Sequence, residues 1–150
     1  MTVTRWAVGV FAALAAVAMA GCSRAYPTEP AEFATDPACS RVLVDLRGTD
    51  TLLDAPRREV TAQATAAWGD GEVVLRCGLA PLGPTTDPCF PVAGVDWVVR
   101  EEGGRTYFTS YGRRPAVEVS VPGKPQSADA LLGSLSPAVA TLAANGRTCK

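Results

Sequence analysis

The stretch Val95-Asp96-Trp97-Val98-Val99-Arg100-Glu101-Glu102-Gly103-Gly104-Arg105-Thr106-Tyr107-Phe108-Thr109-Ser110-Tyr111 decides the reading of the fold. Gly103-Gly104 between two β-rich runs is a strong hairpin signal, because glycine accepts the positive φ that a tight hairpin turn requires. With those two residues as the loop, Val99 falls opposite Phe108, Trp97 opposite Ser110, and Asp96 opposite Tyr111. One face then carries Val95, Trp97, Val99 and Phe108. The other carries Asp96, Val98, Arg100, Tyr107, Thr109 and Tyr111. The first is the expected core face, and a slip of one residue would exchange the two.

On the C-terminal side, Tyr111-Gly112-Arg113-Arg114-Pro115 leads into the cleanest alternation in the chain, Val117, Val119 and Val121 against Glu118 and Ser120. Pro115 and Pro122 bracket this strand and predict an edge position. On the N-terminal side, Glu72–Cys77 reads as a short strand after the turn Gly69-Asp70-Gly71. Before it, Val60 to Trp68 alternates Val60, Ala62, Ala64, Ala66 and Trp68 with Thr61, Gln63 and Thr65. Alanine favours helix there, but the period of two and the turn that follows predict a strand.

Val42 and Leu46, four apart, predict one or two helical turns that Gly48 stops. Ser127 is a good N-cap with Asp129 in the first turn, and Leu131, Leu135, Val139 and Leu142 follow at near-helical intervals. Ser136-Pro137 is expected to interrupt them and open a second helix, with Asn145-Gly146 as the stop. The fold class expected is α+β: a mainly antiparallel sheet of about five strands, with N- and C-terminal helical segments packed on one face and disulfides for reinforcement.

Composition narrows the function. The 150 residues include 14 Lys or Arg, 15 Asp or Glu and no His, for a net charge of −1. Without histidine there is no His general base, no His-ligated zinc or haem and no imidazole switch. The charge balance argues against nucleic-acid binding, which requires a strongly basic surface.

Arg5 precedes an uncharged stretch from Trp6 to Ala20. As a helix this spans roughly 22 Å, short of the ~30 Å hydrocarbon core, and reads as a secretory signal rather than a membrane span. Met19-Ala20-Gly21-Cys22 is similar to the lipobox of bacterial lipoproteins. That likeness implies cleavage after residue 21 and a diacylglyceryl group on Cys22, anchoring the protein to the extracytoplasmic face of the cell membrane. Two acyl chains hold a protein on a bilayer where one does not. The organisation expected is therefore a signal peptide over 1–21, the lipidated Cys22 with a Pro-containing tether over 22–38, and one globular domain over 39–150. Tyr26 and Phe33 in the tether are candidates for local packing.

Removing Cys22 leaves Cys39, Cys77, Cys89 and Cys149, an even count that in an exported chain implies disulfides. Zinc is disfavoured, because the gaps of 37, 11 and 59 residues contain no close pair. Three pairings are open, and the favoured one is Cys77–Cys89, closing a Pro-rich loop, with Cys39–Cys149 joining the domain's two ends. No catalytic residue, metal site or cofactor is predicted. The candidate ligand-binding residues are Arg113 and Tyr111 at a glycine turn, with a guanidinium fork for a carboxylate or phosphate, Asp96 opposite Tyr111, and Arg76. The charge of Arg76, in an apolar strand, calls for a partner such as Asp70 or Asp96. Trp68 and Trp97 are expected as core anchors.

Trp68-Gly69-Asp70, Leu75-Arg76-Cys77-Gly78, Cys89, Val95-Asp96-Trp97, Tyr111-Gly112-Arg113 with Pro115, and Cys149 together form an ordered set. In this set the chain resembles a family of actinobacterial exported lipoproteins known as a domain of unknown function. The resemblance spans most of Cys39–Cys149; it implies an envelope location and two disulfides, and it implies no activity. The reading is a membrane-anchored, non-enzymatic envelope module that meets a protein or glycan partner. The alternative is a His-independent hydrolase or transferase working through carboxylates such as Asp70 and Asp96.

Overall fold

The hairpin forms as its sequence dictates. In the computed structural model, which describes residues 24–150, Val99 lies opposite Phe108, Trp97 opposite Ser110 and Asp96 opposite Tyr111. Both glycines of the loop take positive φ, 56° at Gly103 and 75° at Gly104. Val95, Trp97 and Phe108 are buried on the inward face.

Around the hairpin the chain is mostly β. The strands in order are β1 (Thr51–Leu52), β2 (Ala55–Arg58), β3 (Thr65–Trp68), β4 (Val73–Leu79), β5 (Cys89–Val92), β6 (Val95–Glu102), β7 (Arg105–Tyr111), β8 (Arg113–Arg114), β9 (Ala116–Pro122) and β10 (Ala143–Ala144). Eight of them make one antiparallel sheet in the order β1-β2-β3-β4-β9-β7-β6-β5, and β8 pairs separately with β10. Among the described residues the helices are α1 (Pro37–Asp45), a 3₁₀ turn at Leu46–Gly48, and α2 (Ala128–Val139).

This corrects the α+β expectation of about five strands with helical layers. The strands not foreseen in the sheet are β1, β2 and β5. The first two are short, and Cys89-Phe90-Pro91-Val92 lacks alternation. Their pairing is conferred by neighbours, which period-two patterning does not encode.

Strand β9 also departs from expectation. It lies between β4 and β7, at the centre of the sheet rather than its edge. Pro115 precedes it and Pro122 is its last residue, so neither proline removes a donor from the middle of the ladder. Of the stretch from Val60 to Trp68, only Thr65–Trp68 is strand, and all four of its residues are buried. The predicted break at Pro137 does not occur. The helix runs through it, Pro137 being exposed while Leu131, Leu132, Leu135, Ala138 and Val139 on both sides of it enter one core. It ends at Val139, with Ala140 as C-cap, ahead of Asn145-Gly146.

One apolar cluster unites Trp68, Leu75, Trp97, Phe108 and Val119 from the sheet with Val42, Leu46 and the α2 leucines. Trp68 and Trp97 are both fully buried, as core anchors must be. Their ring N–H groups find acceptors, Trp68 Nε1 donating to the Thr49 carbonyl at 2.9 Å and Trp97 Nε1 to Ser136 Oγ at 3.1 Å. Such pairing removes the cost of burying an indole donor.

The segment expected as a tether lies against this body from residue 24 onward. Tyr26 N donates to Glu59 O at 2.7 Å, Thr61 N to Tyr26 O at 3.2 Å, and Phe33 N to Gly78 O at 2.7 Å. Gly78 has φ +107°, and a Cβ there would stand 2.5 Å from the Phe33 carbonyl carbon. Only glycine lets the two backbones approach so closely. The register of β4 on β9 shifts at this point, between Cys77 and Leu79, the signature of a β-bulge. The signal peptide over 1–21 and the lipidated Cys22 lie outside the described residues.

The disulfides are Cys39–Cys77 and Cys89–Cys149, not the pairing favoured from sequence. Strands β4 and β5, which carry Cys77 and Cys89, are four positions apart in the sheet. At about 4.8 Å per strand that is about 19 Å, far beyond the reach of a disulfide. Cys39, on the buried side of α1, meets Cys77 in the core instead, both side chains being fully buried. Cys89 and Cys149 are partly exposed. Loops of 38 and 60 residues make each bridge worth about 4 kcal/mol in the chain-entropy picture. Non-reducing peptide mapping is expected to recover these two linkages. In native buffer a mild thiol is expected to open Cys89–Cys149 first; mass-resolved alkylation that labelled Cys39 and Cys77 first would contradict this burial order.

Candidate functional site

On the outward face of the sheet the charged and hydroxylated side chains of the middle strands come together. Thr65, Arg76, Glu118, Thr109 and Val98 form one cross-strand row, and Val74, Ser120, Tyr107 and Arg100 the next. A cleft of about 470 Å³ opens above them, lined by Arg76, Arg100, Glu102, Tyr107, Thr109 and Glu118. A second, of about 660 Å³, lies around Tyr111, between the 84–88 loop and the C-terminal tail 146–150.

Arg76 is neutralised by its direct cross-strand neighbour: Nε and Nη2 donate to Glu118 Oε1 at 3.2 and 2.8 Å. The partners expected from sequence are both engaged elsewhere. Asp70 pairs with Arg58 at the β3–β4 turn, and Asp96 Oδ2 accepts the backbone N–H of Cys149 at 2.7 Å. The Arg76–Glu118 pairing follows from β4 lying beside β9, a neighbour relation across 42 residues of chain that local pattern does not reveal.

Arg113, the first ligand candidate, braces the fold. Its Nη1 donates to the carbonyls of Ala140 and Leu142 at 3.1 and 3.0 Å, and its Nη2 to that of Gly94 at 2.8 Å. A cation at the end of α2 meets carbonyls with no helical partner and the negative end of the helix dipole. Beside it Gly112, at φ +76°, leaves room for the tail, since a Cβ there would stand 2.0 Å from the Arg147 carbonyl oxygen. Asn145 N donates to Gly112 O at 2.9 Å. The Tyr111-Gly112-Arg113 motif thus holds the tail and the end of the helix.

Of the four candidates, the structure brings Tyr111 and Asp96 together beneath the C-terminal tail and places Arg76 in the other cleft. Arg113 lies in neither. The residues sequence reasoning left out are Glu118 and Asp87. Asp87 Oδ2 accepts from Arg100 Nη2 at 2.7 Å, and the two residues belong to the adjoining clefts. Arg100 was visible as part of the polar face of the hairpin, but nothing in the loop sequence marks Asp87 as its partner.

The guanidinium of Arg100 holds the Asp87 carboxyl below the usual aspartate range, with help from Thr85. The Asp87 carboxylate in turn holds Arg100 above its ordinary value. Asp70 and Asp96 form no catalytic dyad. Asp70 lies in the β3–β4 turn and Asp96 on β6, with β9 and β7 between β4 and β6, and each carboxylate has its own partner. Among the described residues no group of three or more His, Cys, Asp or Glu is disposed to hold a metal ion.

Fold and site together define a small, disulfide-braced, mainly β domain whose charged groups are paired on an open sheet face. The chain belongs to the family described as Protein of unknown function (DUF3515), whose profile matches residues 2–146. No curated protein and no solved structure matched the chain.

Replacing Arg113 with Ala is expected to lower stability by about 2 kcal/mol, because three carbonyls lose a charged donor. Urea denaturation reads this, and an unchanged midpoint would refute the bracing role. The Asp87–Arg100 pair has a defined acid dependence. Because the folded pKa of Asp87 is lowered, the contribution of the pair is complete above the ordinary aspartate range and is lost as pH falls through the lowered value. Carboxyl-carbon NMR titration is expected to place Asp87 below free aspartate, and Arg100→Gln to return it toward the free value.

Proposed function

We propose that this protein is a membrane-anchored, extracytoplasmic binding or accessory module without catalytic chemistry of its own, held by a diacylglyceryl group on Cys22. The observation that carries the reading is the disposition of its carboxylates. Asp70, Asp87, Asp96 and Glu118 each have a partner of their own, and the two offered for catalysis lie apart, Asp70 in the β3–β4 turn and Asp96 on β6. Acid–base hydrolysis requires two carboxyl groups facing one bond. Two disulfides, one of them partly exposed, favour an oxidising compartment over the reduced cytosol. The lipobox-like Met19-Ala20-Gly21-Cys22 supplies the anchor, and the partner would be an envelope protein or glycan.

In a host that processes lipoproteins, the native chain is expected to fractionate with membranes and to carry a diacylglyceryl adduct on an N-terminal Cys22 by intact-mass spectrometry. The Cys22→Ala variant is expected to lose the adduct. Recovery of the native product in the soluble cell interior, with residues 1–21 intact and its thiols free, would overturn the proposal.

A further inference from the structure

We infer that the outward face of β7, joining the two clefts, is a binding track for a neutral, extended, hydroxyl-rich polymer, that is, a linear glycan. The inference rests on the extracytoplasmic binding reading for the presence of such a ligand and goes beyond it in naming the site and the chemistry. Tyr107, Thr109 and Tyr111 alternate with the buried Phe108 and Ser110, so all three stand on the same outward face. Four residues at about 3.4 Å each separate the tyrosines by about 14 Å, the span of a short oligosaccharide rather than of one sugar. Tyr107 lines the 470 Å³ cleft and Tyr111 the 660 Å³ cleft, and the Arg100–Asp87 pair contributes one residue to each. Each tyrosine is half-buried and offers a ring and a hydroxyl, the combination that serves amphipathic ligands.

Charge, backbone and side-chain chemistry each select the ligand class. The guanidinium groups of Arg76 and Arg100 are already held by Glu118 and Asp87, so the forks that would take a phosphate or carboxylate are neutralised. Glu102 in the lining adds negative charge, which disfavours a polyanion further. From Arg105 to Thr109 strand β7 is paired on both sides, with β6 and β9, so an extended peptide finds no free ladder to join along that run. What remains for a ligand are tyrosine and threonine hydroxyls beside guanidinium N–H groups and carboxylate oxygens. Each sugar hydroxyl donates one hydrogen bond and accepts others, and this face presents both kinds of partner side by side.

The test is binding of the full chain, disulfides intact, to an array of neutral oligosaccharides of increasing length, with affinities then measured by calorimetry. Affinity is expected to rise with length until both tyrosines are covered and to be insensitive to added salt. It is expected to fall about tenfold or more in Tyr107→Ala and in Tyr111→Ala, while Tyr107→Phe retains most of it. Should an alanine variant fail to fold, hydrogen exchange of the unaltered protein gives the same answer, as protection over residues 107–111 on adding the oligosaccharide. Failure of the folded chain to bind any neutral oligosaccharide overturns the inference. So does binding confined to anionic glycans and weakened by salt, preferential binding of extended peptides, or protection elsewhere on the molecule. The Cys22 fractionation is independent of all these outcomes, so loss of the glycan track and loss of the anchored-module reading are separate results.

Discussion

The seam between β4 and β9 is the contact on which the rest of this molecule depends. It joins residues 74–79 to 116–120 and thereby unites the N-terminal strands β1–β4 with the β5–β7 set in one sheet. Leu75 and Val119 meet on its inner face, Arg76 and Glu118 on its outer face. It also fixes Cys77 where the buried side of α1 can reach it. A contact this distant in sequence carries a loop-closure cost before it gives any return. It persists because both strands are covered: Leu75, Cys77, Val117 and Val119 are all fully excluded from solvent, and the leucine and the two valines contribute roughly 1.5–3 kcal/mol each.

The outer face has a different logic. A sheet placed over one core is free to be polar on its other side, and here that side is populated by matched charges. Arg76 with Glu118 and Arg100 with Asp87 are held at hydrogen-bonding distance. Partly exposed pairs of this kind add little to stability; their effect is to leave a face with donors and acceptors in register and little net charge. The N-terminal segment meets this face through Thr28, whose hydroxyl lies 2.9 Å from that of Thr65. At the other side the C-terminal tail is fastened by Cys89–Cys149 and by the Cys149 N–H on Asp96. Both segments leave the middle of β7 open, and the proposed ligand track runs there.

The short motifs marked in the sequence take on distinct physical meanings in this light. Gly78 and Gly112 are places where another stretch of backbone passes too close for a side chain. Trp68 and Trp97 fill the core and close their ring N–H groups on Thr49 and Ser136. Arg113 secures the end of α2 to the start of β6 through Ala140, Leu142 and Gly94. Most of this set maintains a shape. Arg76 and Tyr111, together with the Cys89–Cys149 bridge, are members that also line a cleft.

Local chemistry determined part of this protein without help from the rest of the chain. Gly103-Gly104 set the hairpin and its register, and the alternation around Trp97 and Phe108 set which side turns inward, because a two-residue loop and a period of two are short-range facts. The Val42–Leu46 spacing likewise marked α1. Three things waited for the tertiary structure: the central place of β9, the recruitment of β1, β2 and β5 into an eight-stranded sheet, and the partners of Cys39, Cys77 and Arg76. Each depends on which strand lies beside which. That order is settled by the mutual burial of surfaces far apart in the chain, and no window of neighbouring residues contains it.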